Sequence, residues 1–409
     1  MRTLLFIMIF FNVQNLSAQE HGWQANPELV EQLEKDRPAN LWRESEVRSF
    51  QLPRILTDGI NNPEEWKHRR SEILNQFRTY MYGHRPGPPE QLTFEVTEED
   101  PEAMGGNATL YRITIQSNHE DRSHQFEVIL FLPNKRQKPV PVFLLINNRD
   151  AENTDPTRQN KSGFWPAEEV IERGYGLAAI QNGDLAPDDE DQYYKSIIRL
   201  FEGEAAAEDR NRDDWMALAA WGWGASRVMD YFETNPGVDN SKVAVIGHSR
   251  GGKASLWAGA EDERFALVIS NNSGSGGAAL SRRKFGETVR DVNRFGHWFA
   301  SNFEDFNDRE EELPIDQHML ISLIAPRAVY VASADRDLWA DPRGEFLSLA
   351  FANPVFALWN QPPINALEMP SPGQQLIAGT RGYHIRSGEH NLTPGDWSRY
   401  MDFADRLWR

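Results

Sequence analysis

The chain has 409 residues, of which 40% are hydrophobic and 11% aromatic, enough apolar material for a large packed core and too even a composition for a disordered or fibrous protein. Its formal net charge of -18 argues against a nucleic-acid partner, because phosphate binding needs clustered Lys and Arg. Cysteine is absent, which excludes disulfides and thiolate chemistry.

Arg2 precedes an apolar run from Leu4 to Phe11, and the small pair Ser17 and Ala18 follows. A basic start, an apolar stretch too short to span a bilayer and a small-residue cleavage site predict a signal peptide over residues 1–18, with a buried N-terminal helix as the alternative. The expected location is therefore the periplasm or the medium, with no membrane span. Residues 19–90 read as a polar, Trp-containing N-terminal extension with helical periodicity from Pro63 to Tyr82.

From residue 91 onward the pattern is that of one catalytic domain, residues 91–409. Strand-like runs at Thr109–Ile115 and Glu127–Leu132 suggest an antiparallel entry to a sheet. Nearly continuous apolar runs follow at Val140–Ile146, Tyr175–Ile180, Val243–Ile246, Phe265–Ile269 and Ala328–Ala332, as expected of parallel strands covered on both faces. Between the second and third lies a helical pattern from Asp213 to Phe232, with Asp213 as an N-cap candidate and Asn235-Pro236-Gly237 as its stop. The β-α-β alternation predicts an α/β three-layer sandwich with a mostly parallel central sheet.

Gly247-His248-Ser249-Arg250-Gly251 fits G-x-S-x-G, with a strand before it and a helix-forming run after it. A serine on so sharp a turn needs small neighbours, and the helix that follows aims its free N–H groups at the site. This is the nucleophile elbow of the α/β-hydrolases, and it nominates Ser249; His248 beside it has only a packing role. In that architecture an acid follows a late strand and the histidine comes last. After Ala328–Ala334 stand Asp335, Asp337 and Asp341. Asp341 before Pro342 reads as a helix N-cap and Asp335 could form the turn itself; Asp337 is favoured over Asp335 as the orienting acid, partly on the resemblance that the block from Asp337 to Phe346 carries. Of the two C-terminal histidines, His384 lies in a strand-like run, whereas His390 sits in a glycine-containing loop that suits a general base. No histidine pattern suggests a metal site, and no cofactor is expected.

Four blocks then coincide with one family: Gly247–Lys253, Ser270–Glu287, Asp337–Phe346 and Gly382–His390 resemble the bacterial glucuronoyl esterases of carbohydrate esterase family fifteen, in the right order over roughly residues 120–409. The resemblance implies hydrolysis of the ester between glucuronic acid, or its 4-O-methyl form, on xylan and an alcohol of lignin, with glucuronoxylan or a lignin-carbohydrate ester as substrate; the expected state is a monomer. It implies that Arg250 holds the oxyanion and that Lys253, Glu287 and Trp339 line the sugar site. Lys253 as a solvated helix residue, Glu287 as a partner of Arg282 or Arg283, and Trp339 as core are the competing structural readings. Many family members carry a glutamate acid where this chain has Asn272, so the acid is expected from the later loop. An acetylxylan or other carbohydrate carboxylesterase, or a catalytically silent sugar-binding homologue, are the alternatives.

Overall fold

A computed structural model describes residues 21–135, 138–204 and 210–409. The predicted signal peptide lies outside the described residues.

The extension contributes α1 (Pro27–Asp36) and α2 (Pro63–Phe77), each opened by an Asn cap, Asn26 and Asn62, ahead of a proline, with acidic residues in the first turn. The helical pattern read to Tyr82 is completed by a wider π-type turn at Arg78–Tyr82. Trp23, Trp42 and Trp66 from this segment are buried in the same apolar cluster as the sheet and its helices.

Ten strands form one sheet: β1 (Gln91–Asp100), β2 (Ala108–His119), β3 (Arg122–Pro133), β4 (Val140–Asn147), β5 (Gly176–Gln181), β6 (Val238–His248), β7 (Leu267–Asn271), β8 (Ala328–Ala334), β9 (Gln375–Ala378) and β10 (Arg381–Arg386). Their spatial order is β9-β10-β8-β7-β6-β4-β5-β3-β2-β1. The six from β10 to β5 run parallel, while β1, β2 and β3 are antiparallel at one edge and β9 at the other. Each parallel strand is buried along its apolar run, which is why the runs are continuous rather than alternating.

Helices cover both faces. On one, α3 (Ala217–Thr234) and α4 (Arg250–Glu261) pack with α2 around Trp221, Trp223 and Trp257. On the other, α6 (Pro394–Trp408) brings Trp397 and Phe403 against Phe143 and Tyr330. The approach of α4 to β7 is close: a Cβ on Gly259 would stand 2.2 Å from a Val268 methyl. Helix α3 begins at Ala217, not at the expected Asp213. The carbonyl of Asp213 is occupied by the N–H of His84, and the first free amides of α3, Ala217 and Leu218, donate to the carbonyls of His297 and Trp298. Tertiary partners thus replace the side-chain cap.

Candidate active site

The C-terminal ends of β6, β7, β8 and β10 converge on one cavity, and the turn after β6 is its floor. Ser249 sits at φ 56°, ψ −129°, between the last residue of β6 and the first of α4. A positive φ costs a non-glycine residue roughly 1–3 kcal/mol. The surroundings enforce it: the Ser249 N–H donates to the Asn271 carbonyl at 2.9 Å, while its own carbonyl accepts from Gly252 at 2.8 Å and Lys253 at 3.1 Å. Gly247 has no room for a side chain, since a Cβ there would lie 2.0 Å from the Gly251 carbonyl oxygen. The motif's glycines are therefore steric requirements of the turn.

His390 arrives on the loop after β10, and Asp337 on the loop after β8. His390 Nδ1 donates to Asp337 Oδ2 at 2.6 Å, and the same oxygen accepts from Asn272 Nδ2 at 2.8 Å. Asp337 is nearly buried, whereas the His390 side chain is 40% exposed. Asp335 lies in the same loop but does different work: its Oδ1 accepts from the Gly388 N–H at 2.9 Å, and the Arg336 N–H donates to the Gly388 carbonyl. These bonds zip the Asp loop to the His loop. Asp341 caps the helix α5 (Pro342–Phe351) through the Gly344 N–H, as its neighbour Pro342 suggests.

His248 and His384 are held away from solvent. His248 Nδ1 donates to Asn271 Oδ1 at 2.6 Å, its ring lies 4.4 Å from that of His390, and burial, with His390 next to it, pushes its basicity well below the usual histidine range. A neutral ring behind His390 adds no competing positive charge. His384 is fully buried between Tyr330 and Asp396, and burial likewise lowers its pKa.

Ser249, Asn272, Asp337 and His390 line one cavity of about 590 Å³ together with Lys253, Glu287 and Trp339. Lys253 is buried, its Nζ donating to the carbonyls of Ser273 at 2.7 Å and Ser275 at 2.5 Å and to Glu287 Oε2 at 3.0 Å. Glu287 Oε1 accepts from Trp339 Nε1 at 3.2 Å. Arg282 and Arg283 are engaged elsewhere, by Asp316 and by Asp341 with Glu44. Arg250 points to the other side of the elbow, where its Nε donates to Asp188 and its NH2 to the Asn148 carbonyl; it lines a neighbouring open groove instead of the cavity.

A family model for fungal glucuronyl esterases matches residues 115–359. A carbohydrate esterase from an unknown prokaryotic organism is 39% identical over 416 residues, spanning 94% of each chain. The chain belongs to the glucuronoyl esterase family. Two further glucuronoyl esterase relatives agree: the 4-O-methyl-glucuronoyl methylesterase of Phanerochaete carnosa is 38% identical over 331 residues, 76% of this chain and 72% of that protein. The structure of the glucuronoyl esterase from Solibacter usitatus superposes with a TM-score of 0.83 at 37% identity, covering 90% of this chain and 100% of that one.

Within this glucuronoyl esterase fold, further side chains shape the site. Asn272 adopts φ 47°, a conformation that asparagine tolerates well, and turns its amide N–H to Asp337. Glu345 of α5 is fully buried; it accepts from the N–H groups of Ser273 and Gly274 and from Ser333 Oγ, and so joins the loops after β7 and β8. Burial, with Asp337 close by, pushes its carboxyl up to about 8. Asp188 accepts not only from Arg250 but also from His297 Nε2 at 2.9 Å and Trp298 Nε1 at 2.7 Å. Burial works against that charge, yet the three donors outweigh it and hold the carboxyl below its usual range. Arg37 of the extension stands over the Trp339 ring at 4.2 Å and lines the cavity. Among the described residues no group of three or more His, Asp or Glu side chains is arranged to hold a metal ion.

Proposed function

We propose that this protein is a serine carboxylic ester hydrolase that cleaves the ester between glucuronic acid, or its 4-O-methyl form, on xylan and an alcohol of lignin. The observation that carries the reading is the hydrogen bond from His390 to a nearly buried Asp337, in the cavity that Ser249 also lines. Asp337 holds the proton on Nδ1, which leaves Nε2 free to take the Ser249 proton as Oγ attacks the ester carbonyl. The tetrahedral oxyanion forms at the start of α4, where the Arg250 N–H and the helix dipole favour negative charge, with the Arg250 guanidinium as a second source once it turns from Asp188. His390 then protonates the departing alcohol, and a water molecule activated by the same imidazole releases the acid.

Lys253, Glu287 and Trp339 are the sugar-binding residues in this reading. Lys253 and Trp339 both donate to Glu287, and the carboxylate held between them keeps lone pairs for the hydroxyls of a pyranose. The ester is neutral and only the product is an anion, so the charge of -18 does not oppose substrate entry and favours departure of the glucuronate. A wall polymer as substrate fits the predicted export, to periplasm or medium, of a monomer; no helix among the described residues is long and apolar enough to cross a membrane.

The test is hydrolysis of benzyl glucuronate against acetylated xylan by the wild type and Ser249→Ala. Turnover of the glucuronate ester that vanishes with Ser249→Ala is expected. Deacetylation of xylan with an inert glucuronate ester would move the assignment to an acetylxylan esterase, and unchanged hydrolysis by Ser249→Ala would remove the nucleophile.

A further inference from the structure

Lys253, Arg294 and Arg37 bring cationic side chains to the cavity that Ser249 and His390 line. Glu287 holds the first and Asp291 the second. Among the described residues no carboxylate pairs with Arg37, and no hydrogen bond ties its exposed guanidinium, which stands 4.2 Å over the Trp339 ring. The backbone beneath it is fixed. The Arg37 N–H closes α1 on the Leu33 carbonyl at 2.8 Å, and its own carbonyl accepts from Trp42 Nε1 at 3.0 Å. Asn40 Nδ2 donates to the Gly286 carbonyl at 2.9 Å and to Asp291 Oδ2 at 2.8 Å, while the Gly286 N–H returns a bond to the Leu41 carbonyl at 2.9 Å. The turn that carries Arg37 is thus stitched to the segment that carries Glu287.

A count of donors shows what this guanidinium is free to do. An ammonium has three N–H groups, and those of Lys253 go to the carbonyls of Ser273 and Ser275 and to Glu287. The indole N–H of Trp339 is spent on Glu287, and that of Trp298 on Asp188. What Lys253, Glu287 and Trp339 leave open to a ligand is therefore acceptor capacity, the spare lone pairs of the carboxylate. A sugar hydroxyl both donates and accepts, and an ether oxygen only accepts. Held by Glu287 alone, a pyranose would lose the water that donated to its oxygens and gain no donor in return. Arg37 supplies that donor. Its N–H groups form a planar fork that can meet two neighbouring oxygens at once, and the π face of Trp339 offers them no oxygen to compete.

We propose that Arg37, carried by the N-terminal extension, is a further substrate-binding residue whose guanidinium donates to an adjacent pair of oxygens on the uronic sugar. The assignment rests on the glucuronoyl ester reading above. It is tested by kcat and KM for benzyl glucuronate, and for its monodeoxy forms that each lack one ring hydroxyl, in the wild type, Arg37→Ala and Arg37→Met. Arg37→Ala raises KM for the parent ester about ten-fold, with the effect mainly in KM, and Arg37→Met, which keeps an apolar stem over the indole, does the same. At least one deoxy ester binds the wild type correspondingly less well, yet loses nothing further in Arg37→Ala. An unchanged KM in Arg37→Ala overturns the proposal. Recovery in Arg37→Met does so too, since it would make the side chain a prop for Trp339, as does a deoxy penalty that is equal in wild type and Arg37→Ala for every position. A wild type that leaves benzyl glucuronate intact removes the glucuronoyl reading itself, an outcome distinct from each of these.

Discussion

Replacing Asp337 by Asn separates two things that the carboxylate does for His390. Its Oδ2 receives two donors, His390 Nδ1 at 2.6 Å and Asn272 Nδ2 at 2.8 Å. An amide at position 337 therefore turns its carbonyl, not its NH2, to that point, because the reverse would set donor against donor. Asn272 thus preserves the imidazole tautomer in Asp337→Asn, and the variant loses only the negative charge facing the imidazolium. Two unit charges about 4 Å apart at an effective dielectric near 20 attract by about 4 kcal/mol, so kcat on benzyl glucuronate is expected to fall roughly 10²- to 10³-fold, with little change in KM. Asp337→Ala also loses the orientation and strands the Asn272 amide in the interior, at a cost of about 1–3 kcal/mol, and falls about ten-fold or more further. Steady-state kinetics on both variants, with thermal melting to confirm folding, make the comparison. If Asp337→Asn keeps a third or more of wild-type kcat, or if Asn and Ala are equally impaired, the reasoning from the Asn272 donor is wrong. Asp335→Asn, whose carbonyl can still accept from Gly388, should stay within a few-fold of wild type.

Arg250→Ala is expected to reduce kcat about 10²-fold, and Arg250→Lys should not restore it, because a lysine ammonium lacks the planar set of donors that the guanidinium brings to the oxyanion on leaving Asp188; kinetics on the same ester decide. Lys253→Met leaves Glu287 and two carbonyls without their cation in the interior, and should destabilise the fold by about 3–5 kcal/mol, read by chemical denaturation. Glu345 supplies a pH dependence. Its carboxyl is raised to about 8 by burial, so the folded state binds its proton more tightly than the unfolded chain does, and the stability it contributes is complete below about pH 4.5 and declines as pH rises through 8. Melting temperatures from pH 5 to 9 should fall in the wild type and fall less in Glu345→Gln; parallel curves would show that Glu345 is not the titrating group.

Much of the sheet is legible in the sequence because strands buried on both faces must be apolar at every position, and Val140–Ile146 or Ala328–Ala332 leave no competing period. The elbow is legible because its glycines answer to local crowding, which spacing along the chain records. The start of α3 is not, since its first amides are satisfied by His297 and Trp298, some eighty residues away. The same holds at the site. Asp337 and His390 stand next to recognisable strands and turns, and Glu345 falls inside the block Asp337–Phe346 without any sign of its role, but Asp188 and Arg37 reach the site only through tertiary packing, and nothing in their own neighbourhoods sets them apart. The turn of Arg250 toward Asp188 is likewise invisible until the carboxylate 62 residues earlier is placed beside it.

The early tryptophans have a practical consequence for anyone wishing to shorten the enzyme. Trp42 rests against Trp339 at 6.0 Å, Glu44 reaches Arg283 and Arg343, and the Trp23 carbonyl accepts from Arg343. Cutting the chain near residue 90 would uncover a greasy scar on the remaining protein and unbrace the Trp339 indole, two residues from Asp337. The stretch from residue 23 to 82 is better treated as a keystone than as a detachable handle, and grafts or fusions belong at positions that leave it in place.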